Sequence, residues 1–195
     1  MNVVEPIRDL DTLEYMCRCF KNGNINSQTK KKKEQAERNY IMFIFGIYSG
    51  LRISDILKLK VKNVKNRKYV ELHEKKTNKL KKFPINKILK KELDIYIENK
   101  NENEYLFISQ KGKNYKPLGY KGAYDVIKKV ADEVGAESVA THSMRKTFGY
   151  HYYNRTKDIA TLQKIFNHSN PETTLRYIGM TQNTIDNAYE NINYF

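Results

Sequence analysis

Apolar positions recur at helical spacing through most of the chain. Leu10, Leu13 and the Met16–Cys17 pair share one side of a short helix predicted after Pro6, within residues 1–20. KNGNINSQTKKKKEQAER (21–38) lacks an apolar face and reads as a loop leading into a charged helix start. RNYIMFIFGIYSG (38–50) is apolar all round, as expected of a helix buried on every side, and Gly50 ends it. SGLRIS makes a tight turn, and Ser54 or Asp55 is placed to cap a helix over SDILKLKV. In KYVELHEKKTNKLKKFPI (68–85) two short apolar stretches flank KKTNKLKK, which predicts a β-hairpin with a basic tip.

The helical period then returns. Leu89, Leu93, Tyr96 and Ile97 form one stripe in NKILKKELDIYIENK (86–100), and EYLFIS (104–109) is expected as a further strand. GAYDVIKKVADEVGA carries Ala123, Val126, Ile127, Val130, Ala131 and Val134 on one face and stops at Gly135. THSMRKTFGYHYYNRT (141–156) follows as helix. DIATLQKIFNH has Asp158 as cap, Ile159, Leu162, Ile165 and Phe166 inside, and Asn167 as a left-handed stop. In HSNPETTLRY (168–177) Asn170 caps, Pro171 fits the first helical position and Glu172 lies in the favourable first turn. Ile185, Tyr189 and Ile192 share a face of a last helix. The chain is therefore expected to be mainly α with a small antiparallel β-sheet (α+β). It shows no internal repeat and no low-complexity linker.

At 195 residues, 39% of them hydrophobic, the chain can bury one core. Charge sharpens the picture. There are 36 Lys and Arg against 22 Asp and Glu, a net +14, which favours a polyanionic partner: nucleic acid or an anionic membrane surface. The longest apolar run, IMFIFGIY (41–48), is too short to span a membrane and begins too late for a signal peptide. No basic amphipathic helix with a large apolar face appears, so a membrane partner is not expected and the cytoplasm is the expected location. Cys17 and Cys19, one residue apart, match neither a zinc knuckle nor a redox pair. The four histidines (73, 142, 151 and 168) lack metal-site spacing, so no metal site is expected.

Polar residues at element edges are the candidates for chemistry. Arg52 lies in a turn between helices, and Lys75, Lys76 and Lys79 lie on the hairpin. His142 and Arg145 are three apart and share a helical face; His168 lies at a helix end and Tyr177 on the next helix. Taken singly, each has an ordinary explanation: a solvated arginine, a surface lysine, a surface His–Arg pair, a core tyrosine.

Taken in order, these residues resemble the tyrosine recombinases, the family of phage integrases and Xer-type resolvases, over about residues 38–180. SGLRISDILKL is similar to the stretch around that family's first arginine, giving Arg52. THSMRKTFGYHY is similar to its His-x-x-Arg stretch, giving His142 and Arg145. NHSNPETTLRYIG is similar to its last stretch, giving His168 and, nine residues on, Tyr177. Asn167 stands where the family usually has glycine; asparagine also tolerates the left-handed conformation. For the hairpin lysine, counting back from Pro84 favours Lys76, with Lys75 the alternative.

The resemblance implies the tyrosine recombinase catalytic-domain fold and a reversible, metal- and ATP-independent phosphodiester cleavage. Tyr177 would be the nucleophile that keeps the broken strand as a 3′-phosphotyrosyl ester. Arg52 and Arg145 would hold the phosphate oxygens, with His168 as a third donor. The hairpin lysine, Lys76, would protonate the leaving 5′ oxygen, His142 would help the phenol lose its proton, and no cofactor would be needed. Lys75, Lys79 and Lys30, Lys31, Lys32 and Lys33 are expected to attract DNA phosphates. The resemblance also implies double-stranded DNA as partner and a homotetramer on paired sites.

The expected organisation is a single catalytic domain over 1–195. Its parts are an N-terminal helix and basic loop (1–37), a catalytic core (38–180) and a C-terminal helix exchanged between subunits (181–195). No separate N-terminal core-binding domain is expected, as in catalytic-domain-only members such as fimbrial-type inversion recombinases; a fragment of a longer protein is the alternative. Integration, excision and inversion share this chemistry. Two other functions compete: a type IB topoisomerase-like nicking-closing enzyme, and a non-catalytic DNA-binding protein of the same fold.

Overall fold

The computed structural model describes residues 4–25, 29–109, 116–180, 189, 190 and 192. Helix α1 (Leu10–Ile25) starts where Asp9 accepts hydrogen bonds from the Thr12 amide (2.7 Å) and hydroxyl (2.6 Å). It runs on through residues expected in the loop. Helix α2 (Lys30–Ser49) begins inside the same polar segment, capped by Thr29, whose hydroxyl accepts from the Lys32 amide at 3.3 Å. Lys30–Lys33 are thus a helical first turn. Lysine is unfavourable at the positive end of a helix, but these four are exposed and water screens them.

The apolar half of α2 is buried as its sequence predicts. Met42, Phe43 and Phe45 are wholly inaccessible, each contributing about 1.5–3 kcal/mol of burial. Gly46 allows helix α6 (Thr141–Thr156) to approach, since a Cβ there would lie 2.5 Å from Met144 Sδ. Gly50 ends α2 in the left-handed conformation (φ 60°), and a Cβ on it would meet the Phe148 ring at 2.5 Å.

Three expectations need correction here. SDILKLKV is helical only over α3 (Ile53–Ile56), after which a 3-10 turn covers Val61–Asn63. On a continued helix Leu59 would face away from Leu57 and Val61, yet all three are buried, so the chain must unwind. Neither Ser54 nor Asp55 caps α3; its N-cap is Arg52, which makes no side-chain cap bond. EYLFIS is not a strand. It makes isolated bridges, Lys60 with Tyr105 and Ile108 with Pro117. Consecutive Leu106 and Phe107 are both fully buried, which a half-buried pleated strand cannot do.

The hairpin forms from β1 (Tyr69–His73) and β2 (Leu80–Pro84), antiparallel, with Leu72 opposite Lys81 and Val70 opposite Phe83. Helices α4 (Lys87–Ile97) and α5 (Tyr120–Glu133) bury Leu89, Leu93 and Ile97, and Ala123, Ile127, Val130 and Ala131. Helix α7 (Ile159–Phe166) is capped by Asp158, which accepts from the Thr161 amide, and stops at left-handed Asn167 (φ 52°). Helix α8 (Pro171–Tyr177) is capped by Asn170.

Apolar side chains gather in two clusters, a large one built on α1 to α5 and a small one of Leu162, Phe166 and Ile178. The N-terminal strap crosses α6: the Ile7 amide donates to Thr147 Oγ1 (2.9 Å), and Lys146 Nζ donates to the Val4 carbonyl (2.6 Å). The expected last helix, with Ile185, lies outside the described residues except for Tyr189, Glu190 and Ile192. No helix among the described residues is long and apolar enough to cross a membrane.

Candidate active site

The C-terminal end of α7 organises the site. Its last carbonyls have no partner within the helix and carry the negative end of its dipole, so they favour cations. Lys81 Nζ, from β2, donates to the Ile165 carbonyl at 2.6 Å. Arg145 donates from Nη2 to the Phe166 carbonyl (2.8 Å) and from Nη1 to the Gly50 carbonyl (2.6 Å). Arg145 therefore spans the seam between the two apolar clusters. Its guanidinium carbon stacks 4.2 Å from the Phe166 ring centroid, and the residue is only 1% exposed. Burial lowers its pKa to about 10, still cationic at neutral pH. Its buried Nε has no hydrogen-bond partner.

Arg52, with 18% of its side chain exposed, donates from Nη1 to Glu74 Oε1 at 3.1 Å. The Glu74 side chain is fully buried. Its Oε2 accepts from Thr77 Oγ1 (2.9 Å) and Asn167 Nδ2 (2.7 Å), and Lys81 Nζ lies 3.9 Å from Oε1. Burial alone would raise the Glu74 pKa. The hydrogen bonds from Asn167 and Thr77, with the charges of Lys81 and Arg52, outweigh it and hold the carboxylate below its ordinary value. A second buried carboxylate, Asp55, accepts the Lys75 amide at 2.8 Å.

Asn167 turns the chain so that His168 leaves α7 toward α8. His168 Nδ1 and Thr174 Oγ1 are hydrogen-bonded at 3.0 Å. The His168 and Tyr177 rings meet edge-on, 5.4 Å between centroids, and Phe166 touches both. Burial, then the charges of Arg145 and Arg52, lower the His168 pKa to about 4, so the ring is neutral at pH 7. With the Thr174 hydroxyl donating to Nδ1 at 3.0 Å rather than to the longer Asn170 carbonyl contact at 3.5 Å, the neutral ring carries its proton on Nε2 and can donate outward. The Tyr177 phenol is raised by burial and opposed by Arg145 and Arg52. Lys146 Nζ stands 5.4 Å from its ring centroid.

His142 lies one turn before Arg145 on α6, exposed at the surface. Partial burial, then Arg145, Arg52 and Lys146, lower its pKa, leaving it a neutral proton acceptor. Arg52, Arg145, His168 and Tyr177 thus converge in one electrostatic site, with His142 at its rim. Lys75 and Lys76 occupy the exposed turn between β1 and β2; the Lys76 charge is felt at His168. Lys79 is exposed on the same hairpin, and Lys30–Lys33 sit on the first turn of α2. No cluster of residues suited to holding a metal occurs among the described residues.

Two site residues escaped sequence reasoning. Lys81 was hidden among surface lysines, yet the strand alternation puts it on the inward face with Phe83, and burial lowers its pKa to about 8. Glu74 carries no period or motif of its own. Its role emerges only when the hairpin folds over Arg52 and Asn167.

Residues 22–184 match the model of the phage integrase family. The chain is 44% identical over 190 residues to the probable integrase/recombinase YoeC of Bacillus subtilis (strain 168), covering 97% of each chain. It is 29% identical over 152 residues to tyrosine recombinase XerA of Pyrococcus horikoshii, covering 77% of this chain and 52% of that one. It spans nearly all of YoeC and about half of XerA. Among solved structures, XerA recombinase superposes with a TM-score of 0.73 at 18% identity, over 98% of this chain and 68% of that one. XerH recombinase, in a post-cleavage complex with a palindromic difH substrate, superposes with a TM-score of 0.71 at 18% identity, over 97% and 53%.

Proposed function

The chain belongs to the phage integrase family, and from that premise we propose that it is a tyrosine-type site-specific DNA recombinase. The observation that carries the reading is the Tyr177–His168 ring contact beside Arg145 and Arg52, whose charges act on both rings. A phenol in that position becomes a nucleophile toward a phosphodiester once a base takes its proton. Relatives named as integrases and recombinases favour this over a topoisomerase-like or non-catalytic role.

In the proposed reaction the Tyr177 oxygen attacks the scissile phosphorus and His142 receives the phenolic proton. The P–O5′ bond breaks, the 3′ end remains on Tyr177, and Lys76 protonates the leaving 5′ oxygen. Arg52 and Arg145 stabilise charge on the non-bridging oxygens, and His168 Nε2–H adds a third donor. Attack by a different 5′ hydroxyl reverses the steps and reseals the strand. The partner is double-stranded DNA in the cytoplasm. Lys30–Lys33, Lys75 and Lys79 contribute non-specific phosphate attraction that falls steeply with salt. Four copies assemble on paired sites, each passing its residues 181–195 to a neighbour. Deleting residues 183–195 is then expected to keep single-site binding but abolish higher-order complexes and strand exchange, read by light scattering with DNA and by recombination on paired sites.

The decisive experiment recovers DNA covalently bound to the protein and maps the attached residue. Tyr177→Phe should bind DNA as the parent does and form no adduct. An adduct of normal yield in that variant would reject the assignment.

A further inference from the structure

We propose that Glu74 and Asn167 form a clasp that positions the reacting groups by locking the lysine-bearing hairpin onto the helix end that carries His168. The proposal rests on the recombinase reading above and concerns residues that do not themselves touch the phosphate.

Glu74 is fully buried, so it is not a surface carboxylate waiting for a cation. Both of its oxygens are used. Oε1 takes the Arg52 guanidinium and Oε2 takes Thr77 and Asn167. These partners come from three separate parts of the chain: the start of α3, the hairpin turn and the end of α7. Each carries or adjoins a reacting group. Arg52 is itself a phosphate donor, Thr77 follows Lys76, and Asn167 precedes His168. The turn is also anchored by the Lys75 amide on Asp55 at 2.8 Å, and β2 by Lys81 Nζ on the Ile165 carbonyl at 2.6 Å. The Arg52–Glu74 and Lys75–Asp55 bonds therefore hold the Lys76 turn against α3, and the Asn167–Glu74 bond holds it against α7.

Asn167 does two things at once. It adopts the left-handed conformation that ends α7, and it donates across 93 residues to Glu74. Glycine would meet the first need and not the second. With the clasp closed, Arg52 is steered by a carboxylate from behind and keeps its other N–H groups for a phosphate. The groups are then registered before DNA arrives, which lowers the ordering cost of reaching the transition state.

The test exchanges the two side chains. Asn167→Asp places two carboxylates against each other. It should slow single-turnover cleavage about 10-fold or more while leaving DNA affinity within about twofold, as expected when a hydrogen bond to a charged group that acts only in positioning is lost. The exchange variant, Glu74→Gln with Asn167→Asp, restores one amide and one carboxylate in the pair, so it should recover most of the rate. Asn167→Gly, which keeps the left-handed turn, should be slow as well. Hydrogen exchange of the Lys75 and Asn78 amides in DNA-free protein gives a readout independent of activity: Asn167→Gly should raise it, while α5 amides stay as in the parent. An unchanged cleavage rate in Asn167→Asp, an exchange variant no faster than Asn167→Asp, or unchanged hairpin exchange in Asn167→Gly would each overturn the clasp. A parent protein that forms no tyrosyl adduct would instead overturn the recombinase reading, and the hairpin exchange would still judge the clasp.

Discussion

Replacing Arg145 with alanine should weaken the fold as well as the chemistry, and Arg52→Ala should not to the same degree. Arg145 donates to the carbonyls of Gly50 and Phe166, both at buried positions, and stacks on Phe166. Alanine leaves two buried acceptors without partners, at about 1–3 kcal/mol each. Removing a buried guanidinium with an unpaired Nε returns part of that, so the net loss is about 2–4 kcal/mol. With a urea slope of about 2 kcal/mol per molar, the unfolding midpoint should fall by roughly 1–2 M. Arg52 is partly exposed and makes one ion pair; Glu74 keeps Thr77, Asn167 and Lys81 when it is gone. Its loss should cost about 1.5 kcal/mol, the low end for a hydrogen bond to a charged group, because the other partners remain. Both variants should cleave at least about 100-fold more slowly if each arginine acts as a fixed donor to the phosphate. The assay pairs urea unfolding, followed by circular dichroism, with adduct formation measured well below each variant's midpoint. An Arg145→Ala midpoint equal to that of the parent would refute the inference that this side chain holds α7 against the end of α2.

Two further predictions concern His168. Its folded pKa, about 4, lies below the ordinary value of 6.5, so the unfolded chain binds the extra proton first as pH falls. The stability its neutral form contributes is complete above pH 6.5 and is lost as the pH drops from there to about 4; His168→Asn should flatten that part of a stability–pH profile, and an unchanged profile would contradict the shift. Thr174→Val removes the partner of Nδ1 and should slow adduct formation about 10-fold with little change in DNA binding, whereas equal loss of both would mean that Thr174 only supports the fold.

Much of this protein was legible along the chain. Helix periods, the caps Asp158 and Asn170 and the stops Gly50 and Asn167 are local devices, set by side chains within a few residues of the backbone they satisfy. The spacing of His142 to Arg145 and of His168 to Tyr177 is likewise written in short segments. The places where the reading failed are non-local. SDILKLKV unwinds because Leu57, Leu59 and Val61 are all drawn into the core, and EYLFIS finds no strand to pair with. Lys81 and Lys82 are the same residue type on adjacent positions, yet one is buried against the Ile165 carbonyl and the other exposed beside Glu71. Nothing within a few residues of Glu74 distinguishes it from a surface acid. Its partners Arg52 and Asn167 stand 22 and 93 residues away, and only the folded chain brings them to one carboxylate. A buried charge is tolerated only where opposite charges and donors surround it, and that surrounding is a property of packing, which no stretch of sequence contains by itself.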